Sequence, residues 1–126
     1  QALEPPYLIA INRPSISSTD WLKGLIITKA KEYLVSPILA LEIVKRESGF
    51  DPLICNKKYG CKSGQGLMQI ITSTFAGCEK YFGRDMNVFN AEDNLDCGLH
   101  LLSQPNGINH WWDKKNNLWG SGPYDM

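Results

Sequence analysis

Apolar residues recur at three- and four-residue spacing in three stretches of this chain, and these and a fourth stretch each carry a start or stop signal. That restricts the chain to a mainly α fold. Ser18 or Thr19 is placed to cap a first helix, whose stripe is Leu22, Leu25, Ile26, Ala30 and Tyr33. Ser36-Pro37 opens a second, because proline at the first helical position gives up no needed N–H, and Gly49 stops it just after Ser48. Thr72 caps a third that reaches about Tyr81. Asn90 caps a fourth, with Asp93 three residues on and Leu95, Leu99 and Leu102 as its buried stripe; Pro105 ends it.

Between these segments lie breakers. Residues 1–17 contain Pro5, Pro6 and Pro14 without helical periodicity and read as an extended N-terminal arm, leaving residues 18–126 as one domain. Residues 51–66 hold a proline, an asparagine and three glycines and read as an irregular loop. The tail from Asn106 to Met126 sets Trp111, Trp112, Trp119 and Tyr124 among turn formers and receives no assignment.

Composition excludes several classes. Thirteen basic and thirteen acidic residues leave no net field to gather nucleic acid or acidic lipid, and 43% hydrophobic with 21% charged residues is ordinary globular usage. No apolar run approaches the roughly 18 residues of a membrane span. The chain starts at Gln1 with no secretion signal, and we expect that an upstream segment has been removed. Four cysteines without a Cys-x-x-Cys unit argue for two disulfides rather than zinc. Cys55 and Cys61 bracket a polar loop while Cys78 and Cys97 each fall in a helix, so we pair them that way. Three connectivities, and four reduced thiols, stay open at this point. Disulfides would place the protein outside the cytosol, secreted or in the cell envelope.

The second helix holds two glutamates in different settings. Glu42 reaches Arg46 at i+4 as a surface pair. Glu47 continues the stripe of Ala40, Ile43 and Val44, so it faces protein, where lost hydration raises a carboxyl pKa toward that of a general acid; turning out to water at the last helical turn is the equal alternative.

Glu47-Ser48-Gly49-Phe50, a glycine-rich loop, and then Gly66-Leu67-Met68-Gln69-Ile70 resemble the paired signature of the lytic transglycosylases. Asp93-Asn94-Leu95-Asp96-Cys97-Gly98 is similar to that family's helix with glycine four residues after asparagine. The resemblance implies a lysozyme-like helical domain with a glycan-binding cleft that cuts the N-acetylmuramic acid to N-acetylglucosamine bond without consuming water. Glu47 would be acid and then base, closing a 1,6-anhydro ring, with no cofactor and no metal. It implies peptidoglycan glycan strands as the partner of a monomer or of a domain attached to an envelope assembly. Gln69 would line the cleft, its amide both donating and accepting. Ile71 and Thr74 would stand at the cleft wall, with core packing as their alternative, and Ser48 is ranked with the substrate-binding residues, with capping near the helix end as its alternative.

Asn94 and Gly98 share a helical face, where close approach of another backbone would offset the cost of a mid-helix glycine, and read as structural. No second carboxylate is placed by a motif: Asp51, Asp93, Asp96 and Asp113 are available. His100 and His110 have no motif either and are left out. The family's Ala-Tyr-Asn-x-Gly element is missing. Tyr124 is ranked with the substrate-binding residues as its replacement, and Trp112 and Trp119 are the other aromatics that could cover the site. A goose-type-like muramidase, which adds water, and an inactive wall-binding domain are the competing readings.

Overall fold

The computed structural model describes residues 17–57, 60–113 and 118–119, and the arm at 1–16 lies outside them. Within them are four α-helices: α1 (Ser18–Glu32), α2 (Pro37–Ser48), α3 (Thr72–Phe82) and α4 (Ala91–Ser103). A 3-10 turn, η1 (Gly107–His110), follows α4. The two-residue strands β1 (Trp112–Asp113) and β2 (Leu118–Trp119) pair antiparallel, Trp112 opposite Trp119. The fold is mainly helical.

The helices start where side chains can take their first free N–H groups, with two shifts from expectation. Ser17, not Ser18 or Thr19, caps α1, its Oγ accepting from Asp20 N at 3.0 Å. A cap oxygen bonds the N–H three residues ahead, and only Ser17 stands that far before the first helical donor in need. Thr72 is already helical: Ile71 holds the cap position without a side-chain bond, and the Thr72 hydroxyl donates instead to Lys62 O at 3.0 Å, tying α3 to the preceding loop. Ser36 and Asn90 cap α2 and α4 through Leu39 N and Asp93 N. Gly49 ends α2 in the left-handed region, and its N–H returns to Lys45 O.

One core joins the pieces. Leu22, Ile26 and Ala30 of α1 meet Ala40, Ile43 and Val44 of α2, and α1 also packs on α4 through Leu95 and Leu99. Each fully buried Ile or Leu is worth about 1.5–3 kcal/mol over leaving it in water, so the stripe on α2 fixes which way that helix faces. Glu42 and Arg46 pair on the opposite, exposed face at 2.7 Å.

Polar ties fix the register of α1 against α4. Asp96 accepts from Lys29 Nζ at 2.8 Å, from the Tyr33 hydroxyl at 3.1 Å and from Arg84 at 3.2 Å, and Arg84 also holds Asp93 at 2.9 Å. Burial, and then the charge of Asp96, push the Tyr33 phenol well above its ordinary range, so it stays a donor.

Disulfides join Cys55 to Cys61 and Cys78 to Cys97, the pairing expected from the loop and helix positions. The second links α3 to α4 across 19 residues. Cys78→Ala with Cys97→Ala is expected to lower unfolding free energy by roughly 3 kcal/mol on the loop-closure estimate. Urea denaturation of oxidised wild type and double variant measures it; an unchanged midpoint would count against a bond formed in the native protein.

Candidate active site

Glu47 sits in the last turn of α2, half-buried, and its Oε1 is sealed from solvent. The apolar stripe beneath it explains the placement: with Ala40, Ile43 and Val44 locked inside, the next residue on that face goes inward too. Ser48 is buried, and its hydroxyl donates to Val44 O at 3.0 Å, which leaves its oxygen only as an acceptor for anything else. Gly49 and Phe50 then take two successive left-handed conformations, turning the chain sharply away from the helix end that carries Glu47.

The chain returns as a knot of short backbone bonds. Gly66 N donates to Ile54 O at 2.8 Å, Asn56 N to Gly64 O at 2.9 Å, and Gln65 and Ile70 exchange two bonds at 3.1 and 3.0 Å. Gly66 has φ of +74°, and a Cβ there would collide with Val88 O and the Asn94 amide; only glycine satisfies both demands.

Gln69 is the unusual member of this turn. It is 6% exposed and adopts a left-handed φ of 52°, which disfavours side chains with a Cβ by roughly 1–2 kcal/mol. Its own amide offsets that: Nε2 donates to Ile54 O at 3.0 Å and to Gly66 O at 2.9 Å. The expectation that this amide would both donate to and accept from a ligand therefore needs correcting. Both Nε2 hydrogens are committed to the backbone, and Oε1 alone is left, as an acceptor.

Asn94 holds the same turn from α4. Fully buried, it accepts from Met68 N at 2.9 Å and donates to Gln65 O at 3.0 Å and Val88 O at 2.9 Å. At Gly98, the atoms nearest a hypothetical Cβ belong to the Met68 side chain, so a thioether rather than another backbone uses the space. Trp111, 1% exposed, donates from Nε1 to Met68 O at 2.7 Å. Its role as a clamp escaped the sequence reading, although an indole in an apolar setting must bury an N–H and find it an acceptor.

Gln69, Ile71 and Thr74 come together. With Ile70, Leu101, His110 and Trp111 they line a cavity of about 10 Å³. His110 was passed over in the sequence for want of a motif; its position depends on η1, which periodicity does not reveal. Tyr124 lies outside the described residues, as do the side chains of Asp113 and Trp119. Of the other aspartates, Asp93 and Asp96 are bound to Arg84 and Lys29, and Asp51 accepts from Leu53 N at 2.9 Å. Among the described residues no cluster of His, Cys, Asp or Glu is arranged to hold a metal, and no helix is long and apolar enough to cross a membrane.

Burial lowers the pKa of both His100, which stacks on Tyr81 with ring centroids 3.8 Å apart, and His110. A depressed histidine favours the neutral form in the fold. Its contribution is complete above the unfolded value of 6.5 and is lost as the pH falls through the lower folded value. Asp93 adds a loss at lower pH: burial alone would raise it, but the Asn87 N–H and Arg84 together hold it below 3.8. The melting temperature is expected to drop between pH 7.5 and 5, and His100→Gln should shrink that drop. An equal drop in the variant would remove His100 from the account.

The family model described as the transglycosylase SLT domain matches residues 24–113 of the chain, a span that runs from α1 through β1 and includes the whole of the turn just described. No curated protein and no solved structure matched.

Proposed function

The chain belongs to the transglycosylase SLT domain family, and from that premise we propose that it is a peptidoglycan lytic transglycosylase with Glu47 as its single acid and base. Membership ties it to peptidoglycan and to a lysozyme-like helical fold; the bond cleaved and the product are our reading. The observation that carries it is Glu47 itself, half-buried at the end of α2 with Oε1 sealed from solvent. A carboxyl group fixed at the end of a packed helix, partly shielded from water, is positioned to give and to take a proton.

The steps balance on one residue. Glu47 in its protonated form gives a proton to the oxygen between N-acetylmuramic acid and N-acetylglucosamine. The C1–O bond breaks, and the acetamido oxygen of the muramoyl sugar bonds to C1. The Glu47 carboxylate then takes the proton of the 6-hydroxyl, O6 attacks C1, and the acetamido oxygen is released. The 1,6-anhydro ring closes, Glu47 is protonated again, and no water is consumed. Asp93, Asp96 and Asp51 are occupied in structural bonds, which fits a mechanism needing one carboxylate rather than the usual two.

Under this reading Ile71 and Thr74 contact the glycan, Gln69 accepts from it through Oε1, and Ser48 and Tyr124 lie near the reacting sugar. Residues 18–126 act as one catalytic domain that follows an N-terminal arm. Its two disulfides fit an oxidising compartment, the envelope or beyond. Alkylation of the unreduced protein should label no cysteine.

Mass spectrometry of the muropeptides released from purified peptidoglycan tests the chemistry. Products one water lighter than the hydrolytic ones, ending in an anhydro sugar, are expected. Full reducing ends would replace this mechanism with hydrolysis of the goose-type kind, and binding without turnover would make the domain a wall-binding one.

A further inference from the structure

We propose that the Cys55–Cys61 disulfide is a positioning device for Gln69: it braces the Ile54 carbonyl that holds the Gln69 amide in the one orientation presenting Oε1 alone. The proposal rests on the glycan-binding reading above only for what meets Oε1. The brace itself rests on bonds within the loop.

An amide group is nearly symmetric in shape, so what it presents depends on which of its hydrogens are taken. Gly66 O lies three residues back in the same turn and accepts from Nε2 at 2.9 Å. With that bond alone, the second hydrogen would be free, and the amide would offer a donor beside its acceptor. Ile54 O takes the second hydrogen at 3.0 Å, from across the irregular loop. Ile54 is thus the residue that makes Gln69 an acceptor only. The same carbonyl accepts from Gly66 N at 2.8 Å, so one oxygen holds both the start of the turn and its functional amide.

Burial does little to keep Ile54 in place. It is 42% exposed and its neighbour Leu53 is 71% exposed, so hydrophobic packing cannot set this stretch to within a hydrogen bond. A covalent path does so instead. Cys55, the next residue, pairs with Gln65 and is bonded to Cys61. Cys61 is followed by Lys62, whose carbonyl accepts from Thr72 N at 2.9 Å and from the Thr72 hydroxyl at 3.0 Å. The disulfide therefore carries the rigidity of α3 through Lys62 and Cys61 to Cys55 and Ile54. Cys78–Cys97 joins α3 to α4 and lies outside this path, which makes it the control.

Two readouts on the full chain test the brace. In the ligand-free protein, nuclear magnetic resonance follows hydrogen exchange of the Gln69 side-chain amide. Cys55→Ser with Cys61→Ser is expected to speed that exchange about tenfold, as when a protecting contact opens locally, and Cys78→Ala with Cys97→Ala to leave it unchanged. The second readout is titration calorimetry with the β-1,4 tetramer of N-acetylglucosamine on chains carrying Glu47→Gln, at a temperature where circular dichroism shows each variant folded. Loss of the loop disulfide should weaken binding roughly tenfold, the usual loss of one hydrogen bond, and should cost nothing further once Gln69→Ala is present. A bond that only stabilised the domain would not tell those two backgrounds apart. Unchanged exchange, unchanged affinity, an equal effect from the Cys78 and Cys97 variant, or a full further loss on top of Gln69→Ala would overturn the proposal. Faster exchange in a protein that binds no tetramer would instead sink the glycan reading and leave the brace on Gln69 standing.

Discussion

Glu47→Gln is expected to cut the release of muropeptides from purified peptidoglycan by about a thousandfold, within the range that a positioned general acid and base contributes. Glutamine keeps the shape and fills the same half-buried space, so the far-ultraviolet circular dichroism and the melting temperature should stay close to wild type. What it lacks is a proton to give at the leaving oxygen and a carboxylate to take one from the 6-hydroxyl. Both chemical steps therefore fail together. Glycan affinity should persist, which separates lost chemistry from lost binding. Release by the variant at the wild-type rate would remove Glu47 from the mechanism and direct attention to the aspartates.

The largest expected effect on stability belongs to a residue that no mechanism uses. Asn94→Ala would strand the Met68 N–H and the Val88 carbonyl beside a fully buried site, and would leave the Gln65 carbonyl with Ile70 N as its one remaining donor. Each such orphan costs about 1–3 kcal/mol, so a loss of about 4 kcal/mol is expected, and a fall in melting temperature of roughly 15 °C for a domain of this size. Asn94→Asp is nearly isosteric yet should do comparable damage at neutral pH: its second oxygen would face two carbonyls as an acceptor where the amide donated. Calorimetry on the two variants checks this, and an aspartate variant as stable as wild type would show that those two bonds carry little weight.

Much of this fold is legible in the chain because local signals agree with the packing. The Ser36-Pro37 start, the Gly49 stop and the Asn90 cap coincide with helix ends, and the stripes on α1, α2 and α4 are the buried ones. What periodicity could not show is where side chains spend their hydrogen bonds. Ser17 and Ser18 look alike as caps until the helix phase is fixed, and Thr72 looks like a cap although its hydroxyl belongs to Lys62 O. Gln69 was recognisable as a site residue, but the commitment of its donors depends on Ile54, fifteen residues earlier, across an irregular loop. His110 and Trp111 belong to the segment with the weakest local pattern. Their importance comes from what α4 and the 65–70 turn bring to them, which no spacing rule encodes.

Met68 is gripped by its N–H, by its carbonyl and, at its side chain, by the gap over Gly98. The two backbone bonds ignore what side chain the residue carries, whereas the gap is a volume shared between two positions on different elements. Alanine at position 98 should be poorly tolerated alone and tolerated beside a shorter residue at 68, so that the pair changes jointly or not at all. Among naturally varying chains of this kind, the thioether and the glycine should thus be inherited as a unit, their sizes trading against each other while the hydrogen bonds stay constant.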